Sequence, residues 1–509
     1  MLHLFNQPCN KQPIVRPVRG LKVAVIGSGM AGLSAAALLA RDGAEVTIYE
    51  RNWMTGGCSS TYVRKAYRFE TGATTLVGLD DGMPLSVLLQ SLGIELPAVR
   101  LELPMQVHLN GAVINRYNNL KMWIQEAELH FGQNAQADFW EECMRIASRV
   151  WSVSARQLSF PPQNLTDLYG MAGNFQIRQL ALIPAVFKSM YAMLRRHNLH
   201  QHRDFIRFID EQLLITAQNT HKGVNCAFGC TALAYTLFGN YYLNGGMSSL
   251  VDKITDFIKC NGGQILLRKA VSRLIPAPKG WQLISDGNAD AAPYYDAVVS
   301  AIPLNNLVEL LPGEHPLTLR LARRCMGSED LFSALQLGIG YSPKGSPRSL
   351  HHQIHLQKPL AGLGSHSIFV SLHPLSDTSR APEGRAVASV STHWPHPRQL
   401  RLESVDDAIH TILGELERNG IMNPDQIDYL HHSGPRSWEK WTGRKWGFVG
   451  GYPQKPEIQP WNMQGARSGF KGLYLCDDST YPGQGIPGAT LSGMIACHKL
   501  KSDYRLKPV

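Results

Sequence analysis

Residues 21–50 restrict the fold more tightly than any other stretch of this chain. LKVAVI (21–26) is a short apolar run rich in β-branched residues, the composition of a strand buried on both faces of a parallel sheet. Gly27, Ser28, Gly29, Met30, Ala31 and Gly32 follow at once, and LSAAALLARDG then predicts a helix that stops before Gly43. EVTIYE (45–50) is a second strand, and it ends on an acid. Strand, glycine turn, helix and strand in about 30 residues make a βαβ unit.

The glycine spacing carries chemistry because of where it falls. The first Gly permits the tight turn, the second lets backbone approach a pyrophosphate, and the third allows close helix–strand packing. The helix N-terminus then offers free N–H donors and a positive dipole end to phosphates. Glu50 lies 18 residues past Gly32, where a carboxylate can accept hydrogen bonds from ribose hydroxyls. An acid there also disfavours a 2′-phosphate, which argues against NADP. A dinucleotide site is therefore expected at Gly27, Ser28, Gly29, Ala31, Gly32 and Glu50.

The chain is 509 residues long, with 44% hydrophobic and 18% charged residues. That is ordinary globular composition and excludes disordered and fibrous classes. Nucleotide-type elements recur far from the first unit. Residues 244–275 read as a Gly turn, a helix, a Gly stop and a strand; LYLCDD (473–478) is a last strand and ATLSGMIACHKL (489–500) a last helix. Between them, 84–95, 117–160 and 174–218 read as helical, the last broken at Pro184, and 330–395 alternates like an antiparallel sheet. The expected fold class is α/β: a discontinuous Rossmann-type domain from 20–100, 244–304 and 440–505, with an inserted α+β substrate domain from 101–243 and 305–439.

The second motif runs from Asp477 and Asp478 through Tyr481-Pro482-Gly483-Gln484-Gly485-Ile486-Pro487-Gly488. A strand ends on two acids, a Gly/Pro loop turns, and a helix begins. Loop amides and a helix N-terminus make an electropositive cradle. Set against the pyrimidine end of a flavin, Gly485 and Ile486 would favour the anionic reduced ring, and Asp478 would make a polar contact to the ribityl chain or a phosphate.

Together these motifs carry a resemblance. Glu50-Arg51-Asn52-Trp53-Met54-Thr55-Gly56-Gly57-Cys58, followed by Phe69-Glu70-Thr71-Gly72-Ala73, resembles the FAD-binding N-terminus of the amine oxidase and phytoene desaturase superfamily. PGxGIPG is similar to the C-terminal signature of carotenoid desaturases and isomerases of the phytoene desaturase type. Asn244–Leu250, Gly262-Gly263, DAVVSAIP (296–303) and the stretch from Trp441 to Pro453 match further family segments, so the likeness spans about 21–500. It implies FAD as cofactor, contacts from Arg51, Gly56 and Gly57, and the Val271 backbone facing the adenine. The family usually has Gly where Asp477 stands, so a side chain is expected near the flavin there.

The resemblance implies hydride transfer from a long apolar polyene, a carotenoid, to flavin. The leading reading is a carotenoid desaturase. A carotenoid cis–trans isomerase using reduced flavin without net redox change shares every motif. A flavin oxidase of amines or other lipids, and a non-catalytic prenyl-binding protein of the same fold, are the remaining alternatives. No residue stands out as a catalytic acid or base. Trp438, Trp441, Trp446, Tyr452 and Tyr481 are candidate tunnel walls, and His352, His355 and His431 candidate proton carriers.

Net charge is +10, with 50 Lys+Arg against 40 Asp+Glu. No nucleic-acid reader motif accompanies it, which leaves an anionic membrane surface as the partner to consider. In 176–209, Leu180, Ile183, Phe187, Met190, Tyr191 and Leu194 recur at helical spacing among Arg178, Lys188, Arg195, Arg196, Arg203 and Arg207. Such a basic amphipathic segment fits peripheral membrane contact. No run of 18 apolar residues predicts a spanning helix, and the first 20 residues read as a short polar leader. The nine scattered cysteines contain no CxxC pair, which argues for reduced thiols and against a metal site. The expected location is cytoplasmic, peripherally membrane-associated.

Overall fold

The computed structural model describes residues 18–174, 182–285, 292–399, 404–455 and 457–505. The leader up to residue 17, and Arg178 and Leu180, lie outside them.

The strand Lys22–Ile26 sits at the centre of a five-stranded parallel sheet. Glu45–Glu50 and then Gln264–Leu267 lie on one side, Ala297–Ser300 and then Leu473–Leu475 on the other. Three stretches far apart in sequence thus supply one sheet. The helix Met30–Arg41 covers one face together with Ser248–Cys260 and the C-terminal Ile486–Arg505, through Leu33, Leu39, Leu250, Ile254, Leu491 and Ile495. The other face is covered by the hairpin Val271–Ala277/Gly280–Ser285 and by two short helices, Leu304–Leu310 and Pro316–Ala322. These short helices follow residue 304, where the sequence reading begins the inserted domain again. They pack instead on the nucleotide sheet, because Leu307, Leu311 and Leu321 join Ala24, Ile26 and Val298 in one core.

A seven-stranded sheet holds Ile427–Ser433, Phe332–Tyr341, Ala386–Pro395, Ser367–Leu372, His351–His355, Met105–Leu109 and Ala112–Arg116, in that order. All neighbours are antiparallel except His351–His355 with Met105–Leu109. Period-2 alternation sends Leu335, Leu337, Val370 and Val390 to one face, under the amphipathic helix Val405–Arg418.

A cap of helices stands over the opposite side. Asn119, Ser189, His202 and Asn225 cap the N-termini of Leu120–Phe131, Met190–Arg196, Arg203–Ala217 and Cys226–Leu233, each accepting a backbone N–H. Trp123, Trp140, Phe139, Phe205 and Phe208 fill the cap core. The buried Arg116 guanidinium lies 4.0 Å over the Trp123 ring and donates to the Leu233 carbonyl at 2.6 Å. Met190 and Leu194, expected on an exposed membrane face, are buried in this core, because the helix turns its apolar stripe inward.

His351, His352 and His355 are buried, and His352 Nδ1 lies 3.2 Å from His108 Nε2. Burial pushes these imidazoles down, to about 4 for His351 and about 3 for His352 and His355. In the unfolded chain they protonate near the usual value, about 6.5. Their neutral burial therefore stabilises the fold fully above that pH, and the contribution is lost as pH falls toward 3–4, by on the order of 1 kcal/mol per imidazole per pH unit. The midpoint of thermal unfolding, measured by calorimetry, is expected to fall by several degrees between pH 7 and pH 5; a flat profile would contradict this.

Candidate functional site

The first glycine turn is built by close approach. Gly27, at φ +93°, donates its N–H to the Tyr49 carbonyl at 2.8 Å. A Cβ on Gly32 would lie 2.2 Å from the Gly27 carbonyl oxygen and 2.8 Å from the Ala301 Cβ, so no side chain fits. A Cβ on Gly29 would meet nothing within 4 Å, which leaves its backbone approachable. Gly56, at φ +106°, donates to the Ser28 carbonyl at 2.9 Å, and a Cβ on Gly57 would come within 3.3 Å of the Gly29 Cα. The two glycine loops therefore touch. Ala31 is buried in the first turn of the helix.

Glu50 is buried at the rim of this turn. One carboxylate oxygen accepts from Ser28 N at 3.0 Å and Ser28 Oγ at 2.6 Å, the other from Asn52 N at 2.7 Å. Lys269 N donates to the Glu50 carbonyl, which brings the hairpin strand beginning at Val271 beside this acid. Arg51 is exposed and lies against Gly443, and Asn52 Nδ2 donates to the Trp441 carbonyl at 2.9 Å.

The second motif forms a turn with Gly483 at φ +112° and Gly485 at φ +86°, and Ile486 opens the C-terminal helix. Asp478 Oδ1 accepts from the buried Arg444 at 2.7 Å. Arg444 also donates to the carbonyls of Phe448 and Gly450, and the facing carboxylates push its pKa above the usual arginine value against the opposing effect of burial. The neighbouring Asp477 turns away from this pair. Its carboxylate accepts from Ser479 N at 3.1 Å and Ser479 Oγ at 2.8 Å, and Ser479 Oγ accepts from Leu304 N. Burial, then the nearby Asp478 charge, raise the Asp477 carboxyl to about 7. The side chain that departs from the family pattern is thus used up in its own turn.

A cavity of about 1020 Å³ runs from this turn. Gly485, Ile486, Pro487 and Gly488 line one end with Gly72 and Ala73; Leu168, Ile183, Phe187 and Trp461 line the other. Among the described residues, no Asp, Glu, Lys or Arg lines it. A second cavity, about 240 Å³, lies against Gly57, Ser60, Trp438 and Trp441, and shares Gln336 and Trp438 with the first. Of the aromatic candidates, Trp438 and Tyr481 line the large cavity and Trp441 the small one, whereas Trp446 and Tyr452 line neither. Tyr452 hydrogen-bonds Asn305. The histidine candidates are neutral and already engaged: His352 with His108 and the Ser349 carbonyl, His355 with Gln353, His431 with Tyr62 at 2.7 Å. Burial holds the His431 ring down at about 4.

The fold therefore brings Gly27 to Gly32, Glu50, Gly56 and Gly57 into one contact, with Val271 at its outer end. Asp478, Gly485 and Ile486 stand at the inner end of the large cavity. Sequence reasoning left out Arg444 as a site residue, although it lies in the 441–453 stretch; its partner Asp478 is 34 residues away, and no local signal joins them.

Residues 30–500 match the family model described as flavin containing amine oxidoreductase. The chain belongs to that family. It is 23% identical over 509 residues to prolycopene isomerase of Arabidopsis thaliana, covering 95% of this chain and 83% of that one. It is 20% identical to the 4,4'-diapophytoene desaturase of Staphylococcus aureus strain COL over 528 residues, covering 95% and 99%. The fatty acid isomerase of P. acnes shares the fold, with a TM-score of 0.57 at 13% identity over 95% of this chain and 97% of that one. The cofactor of this family is flavin, here FAD, and the open backbone at Gly29, the acid at Glu50 and the helix N-terminus at Ile486 fit an extended dinucleotide.

Gly32→Ala is expected to cost about 1–3 kcal/mol of stability by overpacking and to yield protein without flavin absorbance, read by its visible spectrum after purification. Normal flavin content would show that the turn tolerates a Cβ.

Proposed function

We propose that this enzyme is a FAD-dependent carotenoid desaturase acting on a long polyene. In this reading Val271 and Glu50 hold the adenosine end. Gly27, Ser28, Gly29, Ala31 and Gly32, with Arg51, Gly56 and Gly57, hold the pyrophosphate region. Asp478, Gly485 and Ile486 face the ribityl chain and ring. The FAD-binding unit is the sheet assembled from 20–100, 244–304 and 440–505.

The observation that carries the reading is the large cavity whose wall, among the described residues, holds no Asp, Glu, Lys or Arg. An ammonium substrate would be desolvated there with no counter-charge, at a prohibitive cost. A neutral polyene has no such penalty. The cavity reaches from the Gly485–Gly488 turn, where the flavin ring would lie, to Phe187 and Trp461, and its volume of about 1020 Å³ includes room for that ring as well as for a long substrate. Bound FAD supplies the hydride acceptor. Trp438, Phe160, Tyr481 and Phe238 wall the cavity, exclude water and keep the polyene extended toward the Gly485–Gly488 turn.

The same cavity favours a second reading. Desaturation must also dispose of a proton, and among the described residues the wall offers one imidazole, His393, held neutral and down at about 4 by burial. A cis–trans isomerase with no net proton loss needs no such group, and prolycopene isomerase is among the relatives. Incubating the holoenzyme with C40 polyenes and separating products by HPLC with mass detection decides. Products lighter by two hydrogens are expected; products of unchanged mass and shifted retention would establish the isomerase instead.

The far end of the cavity supports peripheral membrane contact. Leu165, Leu168, Tyr169, Ile183, Phe187 and Trp461 are large apolar residues left exposed around it, with Tyr169 at 86% and Leu165 at 83%. Among the described residues no helix is long and apolar enough to cross a membrane. The surface is thus centred on Leu165–Gly173 and Ile183–Phe187, not on the buried stripe at Met190–Leu194. A polyene entering here would leave the bilayer without crossing water. Tyr169→Ser with Phe187→Ser is expected to lower co-sedimentation with anionic vesicles at low salt at least severalfold while retaining bound flavin. Unchanged partitioning would refute the surface.

A further inference from the structure

Three sulfur atoms meet in the core of the helical cap. Cys226 and Cys230 stand four residues apart on the helix Cys226–Leu233, so they share one face of it. Met193 reaches them from the helix Met190–Arg196, 33 residues before Cys226. Cys226 Sγ lies 3.3 Å from Met193 Sδ, Cys230 Sγ lies 3.6 Å from the same atom, and the two thiols are 3.7 Å apart. Cys226 is 4% exposed, Met193 2% and Cys230 0%. A fourth sulfur, Cys143, donates instead to the Cys230 carbonyl at 3.4 Å. None of these residues lines the large cavity, but Ala227, Phe228, Thr231 and Ala232 of the same helix do. No CxxC pair marked this cluster in the sequence, because its third member arrives from another helix.

The triangle has the size of a coordination site. A point equidistant from three atoms at these separations lies about 2.0 Å from each, and an ion about 1 Å out of their plane would sit at about 2.3 Å from all three, a metal–thiolate distance. Thiolate and thioether donors are soft and select Cu(I) over hard cations. Cys226 occupies the first turn of its helix, where the dipole favours a thiolate. The charge nearby has the right sign. Arg116 is 0% exposed and donates to the Leu233 carbonyl and to Thr236 Oγ1, one turn beyond Cys230 on the same helix. Its Nε and Nη1 find no hydrogen-bond partner, and among the described residues no carboxylate pairs with it. A buried cation without a counter-charge is costly.

We infer that Met193, Cys226 and Cys230 form a binding site for a soft monovalent metal ion, Cu(I), and this stands apart from the polyene reading. On binding, two S–H bonds break and their protons leave to solvent. Two thiolate–copper bonds and one thioether–copper bond form, and no electron is transferred. One monovalent ion between two thiolates leaves a net charge of minus one, which offsets the charge of Arg116. A divalent ion such as Zn(II) would give a neutral site, leave Arg116 uncompensated, and lack the fourth ligand zinc prefers. The ion would tie the helix Met190–Arg196 to the helix whose opposite face walls the cavity.

The reduced holoenzyme, kept free of oxygen, is titrated with Cu(I) against a chromogenic Cu(I) chelator. One equivalent retained per chain is expected, with two protons released per ion, and X-ray absorption at the copper edge should show three sulfur neighbours at about 2.3 Å. Cys226→Ala and Cys230→Ala should each weaken binding by more than the roughly 10–100-fold lost with an outer-shell partner. Met193→Leu conserves volume and guards against loss of folding in the cysteine variants. It should reduce the sulfur neighbours from three to two while the bound-flavin spectrum stays unchanged. Loss of all copper to the chelator overturns the inference. So does undiminished binding by a variant carrying both cysteine substitutions, which would assign the metal to other thiols such as the exposed Cys260. Displacement of Cu(I) by equimolar Zn(II) would overturn it as well, since the charge and ligand count would then be wrong.

Discussion

Everything at this site depends on backbone approaching backbone without a Cβ between. Gly32 lets the Met30–Arg41 helix settle against Gly27 and Ala301, and Gly493 lets the C-terminal helix settle on the same helix, where a Cβ would lie 2.3 Å from the Ala31 carbonyl oxygen. The first contact ties residues 27–32 to the strand ending at Ser300; the second ties them to the helix that starts at Ile486. Because these contacts are steric and at backbone level, they position three distant stretches of chain with little freedom. The Gly56–Gly29 contact adds a fourth. The 27–32 turn and the 483–488 turn are thereby held at a fixed separation, as the extended cofactor proposed to bridge them would require.

Arg444 plays the electrostatic counterpart. An unpaired carboxylate at Asp478 would offset the positive character of the turn that follows it, and a bare buried guanidinium would be expensive. Paired with each other and with two carbonyls, they leave the turn near neutral, so the loop amides and the helix N-terminus set its positive character. Asp477, one residue earlier, spends its hydrogen bonds on Ser479 but still feels the charges of Asp478 and Arg444.

The parts of the site that were legible in sequence are those whose chemistry is local. The 27–32 turn and Glu50 fit within a few residues, so their spacing carries the expectation, and the family resemblance adds Gly56-Gly57 and the 483–488 turn. The antiparallel sheet was visible in its alternation, but not which face met the cavity, because that depends on where the Val405–Arg418 helix docks. The cap misled for a related reason. An amphipathic stripe such as Met190, Met193 and Leu194 looks the same whether it meets a bilayer or a protein core, and here the aromatic core of Trp123, Trp140 and Phe208 takes it. The exposed apolar surface keeps Ile183 and Phe187 of the expected stripe and otherwise falls on Leu165, Leu168 and Tyr169, a short helix with little to distinguish it in the one-dimensional pattern.

The two ends of the cavity then make opposite demands on one substrate. The entrance, at Phe187 and Trp461, offers apolar contact. The sheet wall and the Gln218–Gln454 side offer hydroxyls and amides that gain nothing from hydrocarbon. Burial of an apolar chain supplies the affinity, in proportion to area, and cannot by itself tell one register along a uniform polyene from the next. Fixing which carbon stops beside the flavin turn needs a directional contact. An apolar entrance and a wall carrying polar groups are different surfaces of one cavity, the first suited to gathering an apolar chain and the second to holding it in one place.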